Sequence, residues 1–336
     1  MSKIKPVIQP VEKSLLLKEL TEEKFLRKPN YGNTEIYVFD CRSSPNLARE
    51  LGRLRELTFR AAGGGTGNDL DIDKFDIADD PYMQLIVWDP EEQEIIGGYR
   101  YILGESVMDD PEEKLATSHL FNFSEKFIQD YLPYTIELGR SFIQPNYQYG
   151  RNARKGLFAL DNLWDGLGSL IIEYPDIKYF FGKVTMYKSY NLKARDYILS
   201  FLKMYFPDKQ QLVTSKNPIQ FDYENIKLNF KDNDYDYDYK TLTKLVKENN
   251  EKIPALLNAY VNLSRSAIIF GTVENDEFGD VEETGILVEI ADIYNSKKDR
   301  HIKTYNRRIK LSILFPRIPK IFNLKKWRLK HKKRKP

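Results

Sequence analysis

The feature that most constrains the fold of this chain is a pair of apolar segments separated by an acidic turn. Residues 84–88 lead into Asp-Pro-Glu-Glu at 89–92, and residues 95–103 follow. Two β-prone segments joined by a short turn of this composition are typical of an antiparallel hairpin. Because segments with helical periodicity lie on both sides of the hairpin, we expect a mixed α/β fold.

The first helix is predicted over 46–60. Ser44 can cap its N-terminus, Pro45 suits its first turn, and Gly63 follows its end. Leucines at positions 47, 51 and 54 form one buried stripe.

The remaining patterns predict further elements on both sides of the hairpin. Helices are expected near 112–130 and over 156–173, 189–206 and 253–263, and strands over 135–143, 178–185, 267–273 and 285–293. An acidic stretch at 232–238 is expected to be a solvated loop, within an insertion at about 207–245.

The charge of the chain is divided unevenly, although the net value is only +3. Residues 300–336 contain 15 of the 52 Lys and Arg residues and none of the 49 Asp and Glu residues. The preceding 299 residues therefore carry a net charge of −12. We expect one folded domain over 1–300 and a basic amphipathic tail over 301–336.

Several classes of protein are disfavoured by single residue types. One cysteine, Cys41, excludes internal disulfides and Cys-rich metal sites, and three histidines make a multi-histidine metal centre improbable. No apolar run reaches 18 residues, and the N-terminus lacks the apolar stretch of a signal peptide. We therefore expect a cytoplasmic protein without a bound metal.

A glycine-rich segment at 63–67 resembles a phosphate-binding loop in composition only. It lacks the Gly-Lys-Ser/Thr ending and follows a helix instead of a strand. A mobile loop that covers the substrate and a plain connector both remain open. The carboxylates that follow do not fit a calcium loop. They are interpreted either as partners of cations, whether substrate amines or Arg55 and Arg100, or as a solvated acidic loop: Asp69, Asp71, Asp73 and Asp76.

Two basic segments have alternative interpretations. Arg151, Arg154 and Lys155 precede a predicted helix, where free backbone N–H groups favour an anion, although a solvated turn is also consistent. Segment 317–335 interleaves ten basic residues with Ile, Phe, Leu and Trp. That mixture favours an anionic membrane surface over nucleic acid, and the alternative is an inert solubilising tail.

Glu137 lies inside the apolar strand 135–143. A buried carboxylate must be paired or have a raised pKa, so Glu137 is either a general base or the partner of a structural ion pair with Arg140. In a regular strand the two side chains point to opposite faces. We therefore predict a β-bulge near Gly139 that brings them to one side.

Four short motifs, taken together, resemble a known family. They are Arg55-x-x-x-Phe59, Asp73-Lys74-Phe75-Asp76, Gly97-Gly98-Tyr99-Arg100 and Glu137-Leu138-Gly139-Arg140. Their order and spacing are similar to the GNAT superfamily of N-acyltransferases, in the branch with acyl-homoserine-lactone synthases and ornithine-lipid synthases. The string at 52–67 resembles the hemolysin-like acyltransferases, which include glycine-lipid synthases.

The resemblance implies a mostly antiparallel central sheet flanked by helices, and an acyltransferase domain over 1–300. It implies transfer of a long-chain, or 3-hydroxy, acyl group to the amine of glycine or ornithine. The superfamily's acetyl-CoA loop is not matched, since Gln148 to Gly150 is one residue short. That departure favours acyl carrier protein over CoA as the donor, with no tightly bound cofactor.

The resemblance also assigns roles to residues. Glu137 is the expected base, Arg100 and Arg140 hold the substrate carboxylate or support Glu137, and the bulge supplies oxyanion donors. The acceptor site is assigned to Arg55, Phe59, Asp73 and Asp76, and the donor site to Gly150, Arg151, Arg154 and Lys155. An autoinducer synthase and a non-catalytic protein that binds membranes or nucleic acid are the alternatives. We expect peripheral attachment to the inner face of the cytoplasmic membrane and no nucleic-acid partner.

Overall fold

The computed structural model describes residues 4–149, 152–156 and 158–307. One compact unit extends to Asn306, and the predicted membrane-binding segment 317–335 lies outside the described residues. Within these ranges the chain forms ten strands: β1 (Phe25–Arg27), β2 (Glu35–Asp40), β3 (Met83–Asp89), β4 (Glu94–Leu103), β5 (Phe121–Phe123), β6 (Thr135–Ile143), β7 (Tyr179–Met186), β8 (Val213–Ser215), β9 (Ile268–Asn275) and β10 (Val281–Glu289).

Helices occupy much of the remaining described chain. Several consist of a single turn, and the longest is α2. They are α1 (Lys13–Glu19), α2 (Pro45–Ala61), α3 (Lys74–Ile77), α4 (Pro111–Lys114), α5 (Pro145–Gln148), α6 (Ala153–Gly156), α7 (Ala159–Glu173), α8 (Leu192–Tyr205), α9 (Tyr223–Ile226), α10 (Tyr235–Glu248), α11 (Ala255–Val261) and α12 (Asn295–His301).

The main sheet has eight strands in the order β1-β2-β3-β4-β6-β7-β10-β9. Neighbouring strands are antiparallel except β6 and β7, which are parallel. Strands β5 and β8 form a separate two-stranded sheet. The prediction of a mixed fold with a mostly antiparallel sheet and flanking helices is confirmed.

Helices cover the sheet on both faces. On one face, the apolar sides of α7 and α8 pack against Leu85, Tyr99 and Leu138. On the other face, the leucine stripe of α2 packs against Ile86, Trp88 and other residues of the sheet. The polar residues described below lie on this second face, beside α2.

Strand β6 contains the predicted bulge. Gly98 pairs with Phe142 and Arg100 pairs with Gly139, so β6 has one more residue than β4 between these pairs. Arg140 takes up the excess with a φ of 50°, a left-handed conformation that is rare outside glycine. The bulge prediction is confirmed.

Two local predictions are wrong. Residues 112–130 do not form one helix, because α4 ends at Lys114 and the chain continues into β5 and a π-helical turn at Phe127–Tyr131. The acidic stretch at 232–238 is not a solvated loop, since it runs into the first turn of α10. Asp234 caps this helix, and the carboxylate of Asp238 is buried and accepts hydrogen bonds from Lys231 N, Asp232 N and Tyr205 Oη.

Candidate active site

The candidate site lies where β6 and β7 separate. Residues 135–138 of β6 pair with residues 179–182 of β7, and the pairing of the two strands ends there. A Cβ on Gly182 would lie 2.7 Å from the carbonyl oxygen of Leu138, so the two strands are in close contact at the last pair before they part. Beyond this point β6 keeps β4 as a partner, and β7 keeps β10. The edges of β6 and β7 that face each other are left without ladder partners.

The segment between α2 and β3 brings carboxylates to this face. Asp73 caps α3: its Oδ1 accepts from Phe75 N at 3.0 Å, while Asp76 Oδ2 accepts from Asp73 N at 3.2 Å. In this reciprocal capping box, the side chains at both ends of the Asp-x-x-Asp motif accept hydrogen bonds from backbone N–H groups. The cap therefore fixes Asp73 and Asp76 above the sheet.

Asp76 is the centre of a buried ionic network. Its carboxylate lies 3.2 Å from Arg55 Nη1 and 3.3 Å from Arg100 Nη1, and it accepts from Gln84 Nε2 at 3.0 Å. Burial alone would raise the pKa of Asp76, but Arg55 and Arg100 outweigh it and hold the pKa well below its usual value. Arg55, Asp76 and Arg100 thus form a permanently charged scaffold rather than a proton carrier.

Arg140 extends the network from the bulge. Its Nε lies 2.8 Å from Asp71 Oδ2, its Nη2 lies 3.4 Å from Asp73 Oδ2, and its guanidinium covers the ring of Phe278 at 4.4 Å. The proposed Glu137–Arg140 ion pair does not occur among the described residues. Arg140 instead pairs with Asp71 and Asp73, so that alternative for Glu137 is wrong.

Glu137 has a neutral partner. Tyr82 Oη donates to Glu137 Oε2 at 2.6 Å and accepts from Ala116 N at 2.8 Å, and both side chains are buried. Burial raises the pKa of Glu137, while Tyr82, Arg100, Thr117 and Lys183 oppose the rise. A carboxylate with a raised pKa and a fixed orientation has the properties of a general base.

A second buried carboxylate lies on the same face, in β10. Glu283 is fully buried and forms an ion pair with Lys183 of β7, and it also accepts from Thr185 Oγ1 at 2.9 Å. Burial lowers the pKa of Lys183, and Glu283 opposes this shift.

Sequence reasoning missed Tyr82, Lys183 and Glu283. A signal existed for Lys183, because it follows Tyr-Phe-Phe-Gly in an apolar strand, and the argument applied to Glu137 applies equally to it.

The glycine-rich segment is held in place by α2. The buried Glu56 carboxylate accepts from Thr66 N at 3.0 Å and Gly67 N at 2.8 Å, and it pairs with Arg60 at 2.7 Å. The backbone has positive φ at positions 63, 65 and 67, which glycine adopts without strain. These contacts favour the connector interpretation.

Phe59 lies in the apolar core beneath this segment. Its ring contacts Phe278 and Phe142, with centroids 5.0 and 6.4 Å away. Of these two rings, only Phe278 also contacts a charged residue of the site. The assignment of Phe59 to the acceptor site therefore stays a prediction.

The predicted donor loop is described in part. Gly150 and Arg151 lie outside the described residues. Lys155 Nζ is surrounded by carboxylates, at 3.0 Å from Asp89, 2.9 Å from Glu91 and 3.4 Å from Glu92, whereas Arg154 is exposed. Arg154 is therefore the better placed of the two described residues to meet an anion.

The described part of the chain forms neither a metal site nor a membrane-spanning helix. No group of three or more His, Cys, Asp or Glu residues there is arranged to hold a metal ion. None of its helices is long and apolar enough to cross a membrane. Cys41 is buried, and burial raises the pKa of its thiol to about 12, which suppresses the nucleophilic thiolate.

Comparison with known proteins identifies the family. Residues 54–156 match the acetyltransferase (GNAT) domain family. A glycine N(alpha)-acyltransferase of Bacteroides thetaiotaomicron is 52% identical over 89% of this chain and 90% of its own length. One of Phocaeicola vulgatus is 50% identical over 89% of this chain and 93% of its own length. The chain belongs to the GNAT acyltransferases. The GNAT N-acyltransferase and enzyme predictions are confirmed.

The solved structures that resemble this chain share little sequence identity with it. A CoA-dependent acyl-homoserine lactone synthase with SAM and isopentyl-CoA is 10% identical, with a TM-score of 0.38 over 80% of this chain and 87% of that one. The CoA-dependent acyl-homoserine lactone synthase MesI is 12% identical, with a TM-score of 0.35 over 81% of this chain and 96% of that one.

Proposed function

We propose that this acyltransferase transfers a long-chain acyl group from acyl carrier protein to the amine of glycine, giving an N-acylglycine for aminolipid synthesis. The observation that carries the proposal is 50–52% identity, over 89% of the chain, to two proteins named glycine N(alpha)-acyltransferase. It favours glycine over ornithine as the acceptor.

Glu137 acts as the base. The glycine ammonium gives a proton to Glu137, and the free amine attacks the thioester carbonyl to form a C–N bond. The C–S bond then breaks and the departing thiolate takes the second surplus proton from the attacking nitrogen, which leaves a neutral amide. Glu137 releases its proton to solvent and is ionised again. Because only the ionised carboxylate accepts a proton, kcat/KM rises as the pH rises through the Glu137 pKa, which lies above the ordinary value of 4.5.

The charges of the site support this assignment. Four cations (Arg55, Arg100, Arg140 and Lys183) face four carboxylates in direct pairs (Asp71, Asp73, Asp76 and Glu283). Glu137 is the remaining carboxylate, and its hydrogen-bond partner is the phenol of Tyr82. A group that is not neutralised by a direct ion pair can gain and lose a proton without breaking the scaffold.

The acyl donor is proposed to enter between β6 and β7. An extended chain with amide groups, such as the phosphopantetheine arm, can pair with unpaired strand edges as an added strand does. An arm placed between the two strands would bring its thioester near Gly139 and Arg140, where the bulge frees backbone N–H groups from the ladder. The phosphate of the arm would bind the donor loop at Gly150, Arg151 and Arg154. Lys155 would not take part, because it is already paired with carboxylates of the protein.

The carrier and the location of the enzyme belong to the same proposal. Acyl carrier protein is acidic, so an acidic enzyme body requires local basic residues for docking, and Arg151 and Arg154 of the donor loop are proposed to supply them. Segment 317–335 would hold the enzyme on the cytoplasmic face of an anionic membrane, where the amphiphilic product is released.

Glu137→Gln tests the base directly. Purified enzyme is incubated with long-chain acyl carrier protein and an equimolar mixture of glycine and ornithine, and the products are identified by mass spectrometry. We expect N-acylglycine from the unmodified protein and a loss of at least about 100-fold from Glu137→Gln, in line with the usual contribution of general-base catalysis.

Glu289→Gln is the matched control. Glu289 lies at the end of β10, and burial also raises its pKa, but it is not part of the site. Its substitution should leave the rate unchanged. Undiminished acylation by Glu137→Gln would remove Glu137 as the base, and N-acylornithine as the main product would overturn the choice of acceptor.

A further inference from the structure

We infer that Lys183 binds the α-carboxylate of the amino-acid acceptor and that Glu283 positions it. This assignment rests on the proposed acylation of an amino acid at Glu137, and it identifies the group that distinguishes an amino acid from a simple amine.

Strand register places Lys183 beside Glu137. Phe181 is paired with Glu137 across β6 and β7, and Lys183 is two residues further along β7, so alternation puts it on the same face of the sheet. It is the first residue of β7 beyond the paired region, at the point where the strands separate. Phe278 connects it to the rest of the site, since Lys183 Nζ lies 5.9 Å and the Arg140 guanidinium 4.4 Å from its ring centre.

Each arginine of the site is held by two partners, whereas Lys183 is held by one within the described residues. Arg100 contacts Asp73 and Asp76, Arg140 contacts Asp71 and Asp73, and Arg55 contacts Asp76 and Gln84. Within the described residues, the Lys183 ammonium donates to Glu283 alone. An ammonium carries three N–H donors, so two are available to a ligand, and 14% of the side chain is exposed.

Glu283 is held by contacts on the strands around it. It is fully buried, accepts from Thr185 Oγ1 at 2.9 Å and lies 3.4 Å from Asn275 Nδ2. These contacts restrain the Glu283 carboxylate, and its ion pair with Lys183 restrains the lysine ammonium. A cation that is held in advance binds a carboxylate without a further loss of side-chain entropy.

An amino acid matches this pair of groups. Its ammonium is drawn to Glu137, and its carboxylate is drawn to the ammonium of Lys183 on the same face. Burial strengthens both interactions. The influence of Lys183 on the Glu137 pKa indicates that the two side chains lie within electrostatic reach of each other. A simple amine would bind Glu137 but would offer no carboxylate to the free N–H groups of Lys183.

The test compares glycine with glycinamide, which lacks the carboxylate charge. Steady-state kinetics are measured for the full-length protein and for Lys183→Met, which keeps the aliphatic stem and removes the ammonium. We expect the KM for glycine to rise about 10- to 100-fold, the usual cost of losing a hydrogen bond to a charged group. At a pH above the acidic limb, where Glu137 is ionised in both proteins, the kcat for glycine and the kcat/KM for glycinamide should change by less than about threefold. Lys178→Met, at an exposed lysine just before β7, is the matched control and should behave as the unmodified protein does.

Lys183→Met leaves Glu283 buried without its cation, so a second variant guards against misfolding. Lys183→Met with Glu283→Gln removes both charges and should show the same selective rise in KM. Equal losses for glycine and glycinamide, or a fall in kcat with unchanged KM, would overturn the assignment. If the unmodified protein acylates another amino acid, the choice of glycine fails, and the same comparison with that acid and its amide still decides the role of Lys183.

Discussion

The hydrogen bond between Tyr82 and Glu137 gives a prediction whose size follows from the structure. Tyr82→Phe removes one oxygen, which donates to Glu137 Oε2 at 2.6 Å in a buried site. Such a bond is worth about 1.5–3 kcal/mol when the acceptor is charged and about 0.5–1.5 kcal/mol when it is neutral. The substitution therefore destabilises the ionised form of Glu137 by about 1–1.5 kcal/mol relative to the protonated form, which raises its pKa by about one unit.

The assay is the pH dependence of kcat/KM for acyl transfer, followed by release of the carrier thiol. Because the ionised carboxylate is the base, the acidic limb of the profile should move to higher pH by about one unit. Activity should fall about tenfold below the limb and recover above it. Tyr101→Phe is the control, since Tyr101 is equally buried on the other face and its hydroxyl lies 3.3 Å from that of Tyr174.

Tyr82→Phe also removes the acceptor of the Ala116 N–H, so the free energy of unfolding should fall by about 1–3 kcal/mol. Urea denaturation at the assay pH separates that loss from the kinetic effect. An acidic limb that stays in place, or a loss that is uniform across pH, would refute the role of Tyr82 in setting the pKa of Glu137.

Three further predictions concern the scaffold and the tail. Asp76→Asn leaves Arg55 and Arg100 buried without their shared anion, so the free energy of unfolding in urea should fall by about 3–5 kcal/mol; a loss below about 1 kcal/mol would contradict the network. Glu56→Gln should lower the free energy of unfolding by about 1–3 kcal/mol and expose the glycine-rich segment to proteolysis. Unchanged cleavage would show that other contacts hold this segment. Deletion of 317–336 should weaken binding to anionic vesicles in a salt-sensitive way and spare acyl transfer in solution; unchanged binding would refute the anchor.

The sequence was most informative about the site where a charged residue interrupts an apolar strand. Glu137 in an apolar strand required either a partner or a shifted pKa, and Gly139, two residues further along, allowed the bulge that the structure shows. The partner could not be predicted. Tyr82 precedes β3 without any periodic signal, and its place beside Glu137 depends on the pairing of β3, β4 and β6.

The predicted secondary structure is wrong where long-range contacts outweigh the local preference of the sequence. The Asp232–Asp238 stretch is so acidic that it reads as solvated, yet Asp238 is buried because it binds Tyr205 of the neighbouring helix and the backbone before α10. Residues 115–123 leave the predicted helix since Ala116 N donates to Tyr82 and β5 pairs with β8, which lies about 90 residues further along the chain.

The separation of β6 from β7 has a consequence for the folding energetics of the sheet. Five strands on one side and three on the other are connected through four residue pairs, so the ladder does not make the sheet a single cooperative unit. Amide protons near this junction should exchange with solvent through local openings that leave both halves intact. A bound donor arm that pairs with both edges would couple the halves, and the slowed exchange would spread to β10, which the arm does not touch.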